Sequence, residues 1–99
     1  MAYILVRHDV ENFDEWKPHF DDHDDFRVES GQQSYQLYRT ESDPNALVML
    51  FEFDTMANAR SFAQSDDLRE KMTEAGVQGE PEIAYLEQIA AKTGTEQSA

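Results

Sequence analysis

The chain has 99 residues, no cysteine, and 21 acidic against 8 basic residues, which gives a formal net charge of −13. This length allows one domain with a modest core, and the lack of thiols excludes disulfides and cysteine-ligated metal or iron–sulfur sites. The negative charge repels phosphate backbones and anionic lipid, so we expect neither nucleic acid nor a membrane as a partner.

The acidic residues are spread along the whole chain, and lysine is scarce. Two interpretations stay open: an acidic surface for a basic partner, or adaptation to high salt, in which carboxylates are screened and well hydrated. The scarcity of lysine favours salt adaptation and a halophilic source. No apolar run reaches the roughly 20 residues of a membrane span. Because the N-terminus leads directly into a strand without a signal-type segment, we expect a cytoplasmic protein.

The chain begins with a predicted strand and a predicted helix. Residues 3–10 (YILVRHDV) are mostly apolar and β-branched, which is typical of a strand. Asn12 is a candidate N-cap for a helix over residues 13–29. Pro18 lies inside this stretch and removes a hydrogen bond there, so we expect the helix either to begin nearer Glu15 or to bend at Pro18.

The remaining elements complete a β-α-β-β-α-β order. In chain order we predict a strand over 34–40, a turn over 41–45, a strand over 47–53, a helix capped by Asp54 or Thr55 and reaching about residue 63, a helix over 68–75, and a strand over 82–89. This order predicts an α+β, ferredoxin-like fold with a four-stranded antiparallel sheet and the helices on one face. We expect residues 1–90 to form a single domain and residues 91–99 a flexible tail.

The strand over residues 47–53 (LVMLFEF) is apolar on both of its faces. One face carries Val48 and Leu50, and the other carries Leu47, Met49, Phe51 and Phe53. A half-solvated strand alternates apolar and polar residues instead. Two helices can cover one face of a small sheet but not both, so we predict a homodimer in which two copies pack sheet against sheet.

The first helix carries the candidate site residues. Helical spacing places Phe13, Trp16 and Phe20 on one apolar stripe, with Arg27 near its centre and His23 on its flank. Polar groups at a helix–sheet interface need hydrogen-bonding or anionic partners. One interpretation is a pocket in which His23 is an acid–base group, Arg27 an anion clamp, and Trp16 and Phe20 ligand-binding aromatics. The alternative is a core stripe with His23 bonded to backbone and Arg27 reaching water or paired with an acid.

Glu52 is the polar residue inside the most hydrophobic strand, and it shares the parity of Val48 and Leu50. A buried carboxylate there would have a raised pKa or a cationic partner, and either can mark a ligand-binding residue. The alternative is a structural role near the strand end, paired with Arg7 or Arg39 of a neighbouring strand or subunit.

The three histidines raise the question of a metal site. His19 and His23 have the i,i+4 spacing that lets two imidazoles share an ion, and His8 could approach from the first strand. Helical phase turns His19 toward the acidic, solvated side, however, and no third ligand is recognisable. Since phosphate loops, catalytic triads and dinucleotide fingerprints are also missing from the sequence, we predict neither a metal nor a cofactor.

Three parts of the chain carry a family resemblance. They are residues 13–20 (FDEWKPHF) followed by His23 and Arg27, residues 43–45 (DPN) ahead of a strand that ends in FEF at 51–53, and residues 59–63 (ARSFA) followed by 65–69 (SDDLR). In these parts the chain resembles the antibiotic-biosynthesis-monooxygenase-like (ABM-like) proteins of the dimeric α/β-barrel superfamily. The resemblance covers residues 3–88.

The resemblance implies a fold and a dimer more firmly than an activity. Such proteins pair their sheets across a two-fold axis, and catalytic members bind a flat or hydrophobic molecule between helices and sheet. Some oxidise aromatic polyketides without a cofactor, some isomerise or cyclise, some degrade haem, and many have no assigned activity. The resemblance implies that His23, Arg27 and Trp16 face the pocket.

Three functions therefore stay open. We expect a dimeric module that binds a small hydrophobic or aromatic molecule between helices and sheet, with no assigned activity. The first alternative is a cofactor-free monooxygenase- or isomerase-type enzyme that uses His23, for which we expect a closed pocket of a few hundred Å³. The second alternative is a structural or partner-binding dimer in which Trp16, Phe20 and Phe62 fill that space.

Overall fold

The computed structural model describes residues 2–92. Its elements are β1 (Ala2–Val10), α1 (Phe13–Asp22), α2 (Asp24–Glu29), β2 (Gln32–Thr40), β3 (Asp43–Phe53), α3 (Met56–Ala63), α4 (Asp66–Glu74) and β4 (Val77–Glu87). The predicted α+β class with a four-stranded antiparallel sheet is confirmed. The predicted helix over 13–29 is a pair of short helices, α1 and α2, whereas α3 and α4 each correspond to one predicted helix. Most of the predicted tail, residues 93–99, lies outside the described residues. Within the described part, no helix is long and apolar enough to cross a membrane.

The sheet has the strand order β2-β3-β1-β4 with antiparallel pairing throughout. Its two central strands, β1 and β3, carry most of the buried apolar residues. The core cluster contains Ile4, Val6, Val10, Trp16, Phe20, Leu47, Met49, Phe51, Phe53, Ala59, Phe62 and Ala75. Within each strand these buried residues alternate along the chain, so their side chains all point to the same face of the sheet. The helices pack on this face, which we name the covered face.

The intervening residues of each strand point to the opposite face of the sheet, which the chain's own helices leave bare. Val48 and Leu50 lie on this face, half-buried, and Leu5 is paired with Leu50 across β1 and β3. Tyr38, the partner of Val48 on β2, is 55% exposed, and Leu86 of β4 is 39% exposed. We name this surface, with Leu5, Tyr38, Val48, Leu50 and Leu86 at its centre, the open face.

The predicted first helix is interrupted at His23 and not at Pro18. Helix α1 begins at Phe13, and the Asn12 side chain accepts a hydrogen bond from the Glu15 N–H at 3.1 Å, as an N-cap does. The expectation of a later start is therefore wrong, and α1 continues through Pro18 to Asp22. Backbone hydrogen bonding continues through the junction, because the Arg27 N–H donates to the His23 carbonyl at 3.2 Å.

The third and fourth strands begin earlier than predicted. In the β2–β3 hairpin Thr40 already pairs with Asp43, so β3 starts at Asp43 and not at Leu47. Strand β4 starts at Val77, well before the predicted start at residue 82. It accommodates Gly79 and Pro81 in an irregular stretch, where the register with β1 shifts and Gly79 adopts a φ of +69°. Pairing with β1 thus extends the strand across residues that locally favour a turn.

Candidate functional site

A half-open cavity lies between the helices and the covered face of the sheet. It is lined by Val6, His8, Met49 and Phe51 of the sheet and by Trp16, Phe20, His23, Arg27, Phe62, Leu68, Lys71, Met72 and Ala75 of the helical side. Its volume is about 40 Å³, which is room for about three water molecules. An apolar cavity that binds benzene measures ~150 Å³. The cavity is therefore smaller than the few hundred Å³ expected for an enzyme, and a ring enters it only when side chains move.

The lining residues divide by burial into two groups. His23, Leu68, Lys71 and Met72 are half-buried and form what we call the rim. The other lining residues are buried, and His8 and Trp16 among them mark what we call the inner end. A molecule that enters from solvent meets the rim first.

Trp16 and Phe20 form the aromatic wall of the cavity on α1. Their spacing of one helical turn directs both rings toward the sheet, where they are 3% and 6% exposed. The two rings are stacked with centroids 4.9 Å apart, and the Phe20 ring lies 6.2 Å from that of Phe51. The structure thus brings both residues to the cavity while they also pack in the core.

His23 lies at the junction of α1 and α2. Its ring stacks on Phe26 with centroids 4.9 Å apart. Burial lowers the pKa of His23 below its ordinary value, the positive charges of Arg27 and Lys71 lower it further, and Asp67 acts in the opposite direction. The ring is therefore neutral at pH 7, with one N–H donor and one nitrogen that can accept a proton.

Arg27 is 2% exposed, and its hydrogen bonds are made within the protein. Nε donates to the Gln32 side chain at 2.9 Å, Nη1 to the Phe20 carbonyl at 3.0 Å, and Nη2 to the Asp24 carboxylate at 3.3 Å. Burial lowers the pKa of Arg27 and the charge of Asp24 raises it, while the guanidinium stays charged. These contacts match the acid-paired alternative, and an anion-clamp role stays a prediction.

The structure does not bring Glu52 together with the other candidate residues. Glu52 lies on the open face, whereas His23 lies beside the covered face, so the sheet separates them. Its carboxylate accepts a hydrogen bond from the Ser34 hydroxyl at 3.0 Å. Within residues 2–92 it forms no ion pair with Arg7 or Arg39 of the same chain.

His8 lines the cavity as well, although the sequence indicated it only as a possible metal ligand. It shares the strand parity of Val6 and Val10, is 6% exposed, and meets the Trp16 ring edge-on at 5.8 Å. Its Nδ1 is buried without a hydrogen-bond partner among the described residues. Burial lowers the pKa of His8, an effect partly offset by its own backbone and by Asp9. Strand parity alone was a sufficient signal for its position.

Lys71 of α4 is the other polar lining residue outside the sequence prediction. Helical spacing is a signal for its position, because Lys71 lies three residues after Leu68 and four before Ala75, which also line the cavity. His19 does not line the cavity, although His8 and His23 do. In the part of the chain that the structure describes, His, Asp and Glu form no group of three or more that could hold a metal ion.

No family model matches the sequence, and no curated protein matches it significantly. Solved structures do match. An antibiotic biosynthesis monooxygenase has a TM-score of 0.70 and 14% identity, with 91% of this chain and 100% of the other covered. SnoaB, a cofactor-independent oxygenase from Streptomyces nogalater, has a TM-score of 0.71 and 17% identity, with coverage of 93% and 94%.

A conserved protein from Methanosarcina mazei Go1 is also similar, with a TM-score of 0.68, 19% identity, and 86% of this chain and 89% of that chain covered. The chain therefore has an ABM-like fold, as its sequence resemblance implied. Identities of this size describe the fold alone, and they do not transfer an activity.

Proposed function

We propose that the protein binds a small planar or apolar molecule at the cavity, between the helices and the covered face. The observation that supports this proposal most is the composition of the cavity wall. Stacked Trp16 and Phe20 offer apolar surface, and the neutral His23 at the rim offers both a donor and an acceptor. Ligand sites in proteins have this character, a mostly apolar wall with a few convergent polar groups.

Helix α4 is the wall that is easiest to displace. Helices α1, α2 and α3 each contain a buried residue, whereas α4 contains none. Its cavity-lining side chains Leu68, Lys71 and Met72 are only half-buried. Methionine and lysine are flexible, so rearranging them costs less than moving the buried aromatic wall. We therefore expect a ligand to enlarge the cavity on the α4 side.

The open face supports the proposal of a homodimer. Leu5, Val48 and Leu50 form a helix-free apolar surface, with the exposed Tyr38 and Leu86 beside them. A contiguous apolar patch of this kind usually marks an interaction site. A second copy placed sheet against sheet would bury it on both chains at once. We propose this dimer, in the cytoplasm of a halophilic cell, as the state in which the ligand is bound.

A cofactor-independent oxygenase or isomerase that uses His23 is the second candidate. Similarity to SnoaB, a cofactor-independent oxygenase, favours it, and a neutral His23 can accept a proton from a bound substrate. The small cavity favours binding without turnover, and a structural dimer is the third candidate. Turnover of a bound compound, lost in His23→Gln, would establish the enzyme.

The decisive experiment is a ligand titration that follows the fluorescence of Trp16, the single tryptophan of the chain. A panel of planar aromatic compounds is screened by thermal shift in molar potassium chloride, and each stabilising compound is titrated. We expect binding that weakens about fivefold in His23→Leu, because Leu can neither donate nor accept and one hydrogen bond contributes about 1 kcal/mol.

The matched control is His19→Leu, since His19 does not line the cavity. It should bind with unchanged affinity. A screen in which no compound raises the melting temperature or changes the Trp16 signal would leave the structural dimer as the function.

A further inference from the structure

The cavity is basic although the protein is strongly acidic. Two of the three histidines, His8 and His23, line it together with Arg27 and Lys71. None of the described Asp and Glu residues lines it, although the chain has 21 acidic residues. A cationic ligand would therefore find no carboxylate partner there. The charges favour an anion.

His8 provides a buried polar atom that needs a partner. It is 6% exposed, and its Nδ1 makes no hydrogen bond with any described residue. Such atoms in native proteins are normally paired with protein, water or ligand, because leaving them unpaired costs stability. His8 pairs with Leu47 of β3, whereas the pairing of β1 with β4 shifts register between Arg7 and Asp9, so it is the pairing with β3 that holds the backbone of His8 in place.

Lys71 provides the positive charge that is free to act on a ligand. Within residues 2–92 its ammonium group takes part in no ion pair. Arg27, by contrast, already donates to Gln32, Phe20 and Asp24. The basic character available to a ligand thus comes from Lys71 at the rim and from the two imidazoles.

The size of the cavity indicates which part of a ligand enters it. About 40 Å³ accommodates about three water molecules, and the two oxygens of a carboxylate replace two of them. A ring does not fit the inner end and stays at the rim, where Leu68 and Met72 can move.

We propose that the ligand is a small aromatic carboxylate whose acidic group is bound by His8 Nδ1–H at the inner end and by the charge of Lys71. His8 is then a ligand-binding residue. This inference rests on the proposed function, because it names the chemical class of ligand for the same cavity.

The test compares benzoate with benzamide, its neutral isostere, in the same salt. Both are titrated against Trp16 fluorescence and against the ring nitrogen and proton signals of the three histidines in NMR spectra. We expect benzoate to bind at least about tenfold more tightly, because charge-assisted hydrogen bonds are stronger than neutral ones. Benzoate should shift the signals of His8 and His23 and leave those of His19 in place.

Two pairs of variants complete the test. Lys71→Met should weaken benzoate binding about fivefold without affecting benzamide, whereas Lys17→Met, which makes the same change in net charge away from the cavity, should affect neither. His8→Leu should abolish the preference for benzoate, and His8→Asn, which restores a donor, should recover part of it.

Equal binding of the two compounds, or benzoate binding with the His8 signals unmoved, overturns the inference and leaves the proposed function standing. If neither compound binds while another neutral aromatic compound binds at the rim, the inference is likewise overturned and the proposed function stands. If no aromatic compound of either kind binds, the proposed function itself is wrong. The wild-type titrations and spectra decide these outcomes even if a variant fails to fold.

Discussion

At the scale of single residues, Arg27 is the side chain on which the local structure depends most. Its guanidinium joins α1 and α2 to β2 through Gln32 and Asp24, and its central carbon lies 3.9 Å from the centroid of the Phe20 ring. A planar fork of donors suits this arrangement, and an ammonium group cannot replace it. The residue thereby fixes the helix junction that carries His23.

Replacing Arg27 should therefore unfold the protein more easily. We expect Arg27→Met to lower the free energy of unfolding by about 2–3 kcal/mol, because it leaves buried acceptors without a donor. Urea unfolding measures this. Arg69→Met is the control, since Arg69 and Asp66 form an exposed ion pair, and it should change the free energy by less than about 0.5 kcal/mol. Equal effects of the two substitutions would contradict the assignment.

Burial of His8 and His23 makes stability depend on pH. Because the pKa of each is lowered in the folded state, the unfolded chain binds more protons once the pH falls below the ordinary value of 6.5. The stability contributed by the two neutral histidines is therefore fully present above pH 6.5. It is lost as the pH falls from 6.5 through the lowered pKa values of the folded state. We expect a lower free energy of unfolding at about pH 5.5 than at about pH 7.5.

The variant His8→Leu should make this pH dependence weaker. A pH profile unchanged in His8→Leu would show that His8 is not kept neutral by the fold.

The positions of these residues in the fold differ in how far the sequence predicts them. Helical phase placed Trp16 and Phe20 toward the sheet and Arg27 among them, because apolar periodicity is a local property of the chain. The position of His8 was available from strand parity. Helical spacing also puts Lys71 beside Leu68 and Ala75, but a lysine at such a position is easily taken for a solvent-exposed residue, because its long side chain can reach water.

At the scale of elements, Gly31 controls how α2 turns into β2. Its φ is +117°, and a Cβ atom there would lie 2.5 Å from Oδ1 of Asp54. That oxygen is held in place, because it accepts hydrogen bonds from the Thr55 N–H and from the Asn58 side chain. The loop thus has neither the backbone freedom nor the space for a side chain.

We expect Gly31→Ala to lower the free energy of unfolding by about 2–3 kcal/mol, from backbone strain and the clash together. Gly79→Ala is the matched control: its φ is +69°, and a Cβ atom there meets nothing within 4 Å. It should cost only about 1 kcal/mol. Thermal and urea unfolding compare the two, and a Gly31→Ala variant no weaker than Gly79→Ala would contradict the close approach of Asp54.

Element type was predictable from the sequence and element boundaries were less so. Caps such as Asn12 and Thr55 act within a few residues, so the starts of α1 and α3 were recognisable. The start of β4 was not, because the hydrogen bonds that extend it to Val77 come from β1, far away in the sequence.

At the scale of the whole molecule, the open face determines how copies associate. We expect Leu50→Asp to convert the proposed dimer into monomers or into insoluble protein, because it places a charge in the space between two sheets. Light scattering in molar salt measures the mass. Val28→Asp is the control, since Val28 is 53% exposed on α2, away from the open face, and it should leave the dimer intact. A Leu50→Asp dimer of unchanged mass would contradict this interface.

The irregular ends of the sheet limit how such copies can add to one another. Strand β4 forms one lateral edge, where Pro81 offers no N–H and Gly79 turns the backbone aside. At the other edge, the register of β2 shifts near both of its ends. Neither border is a straight template for a foreign strand, so growth into fibrils by strand addition is disfavoured. Because each chain has one bare face, stacking in the proposed dimer would stop at a closed pair.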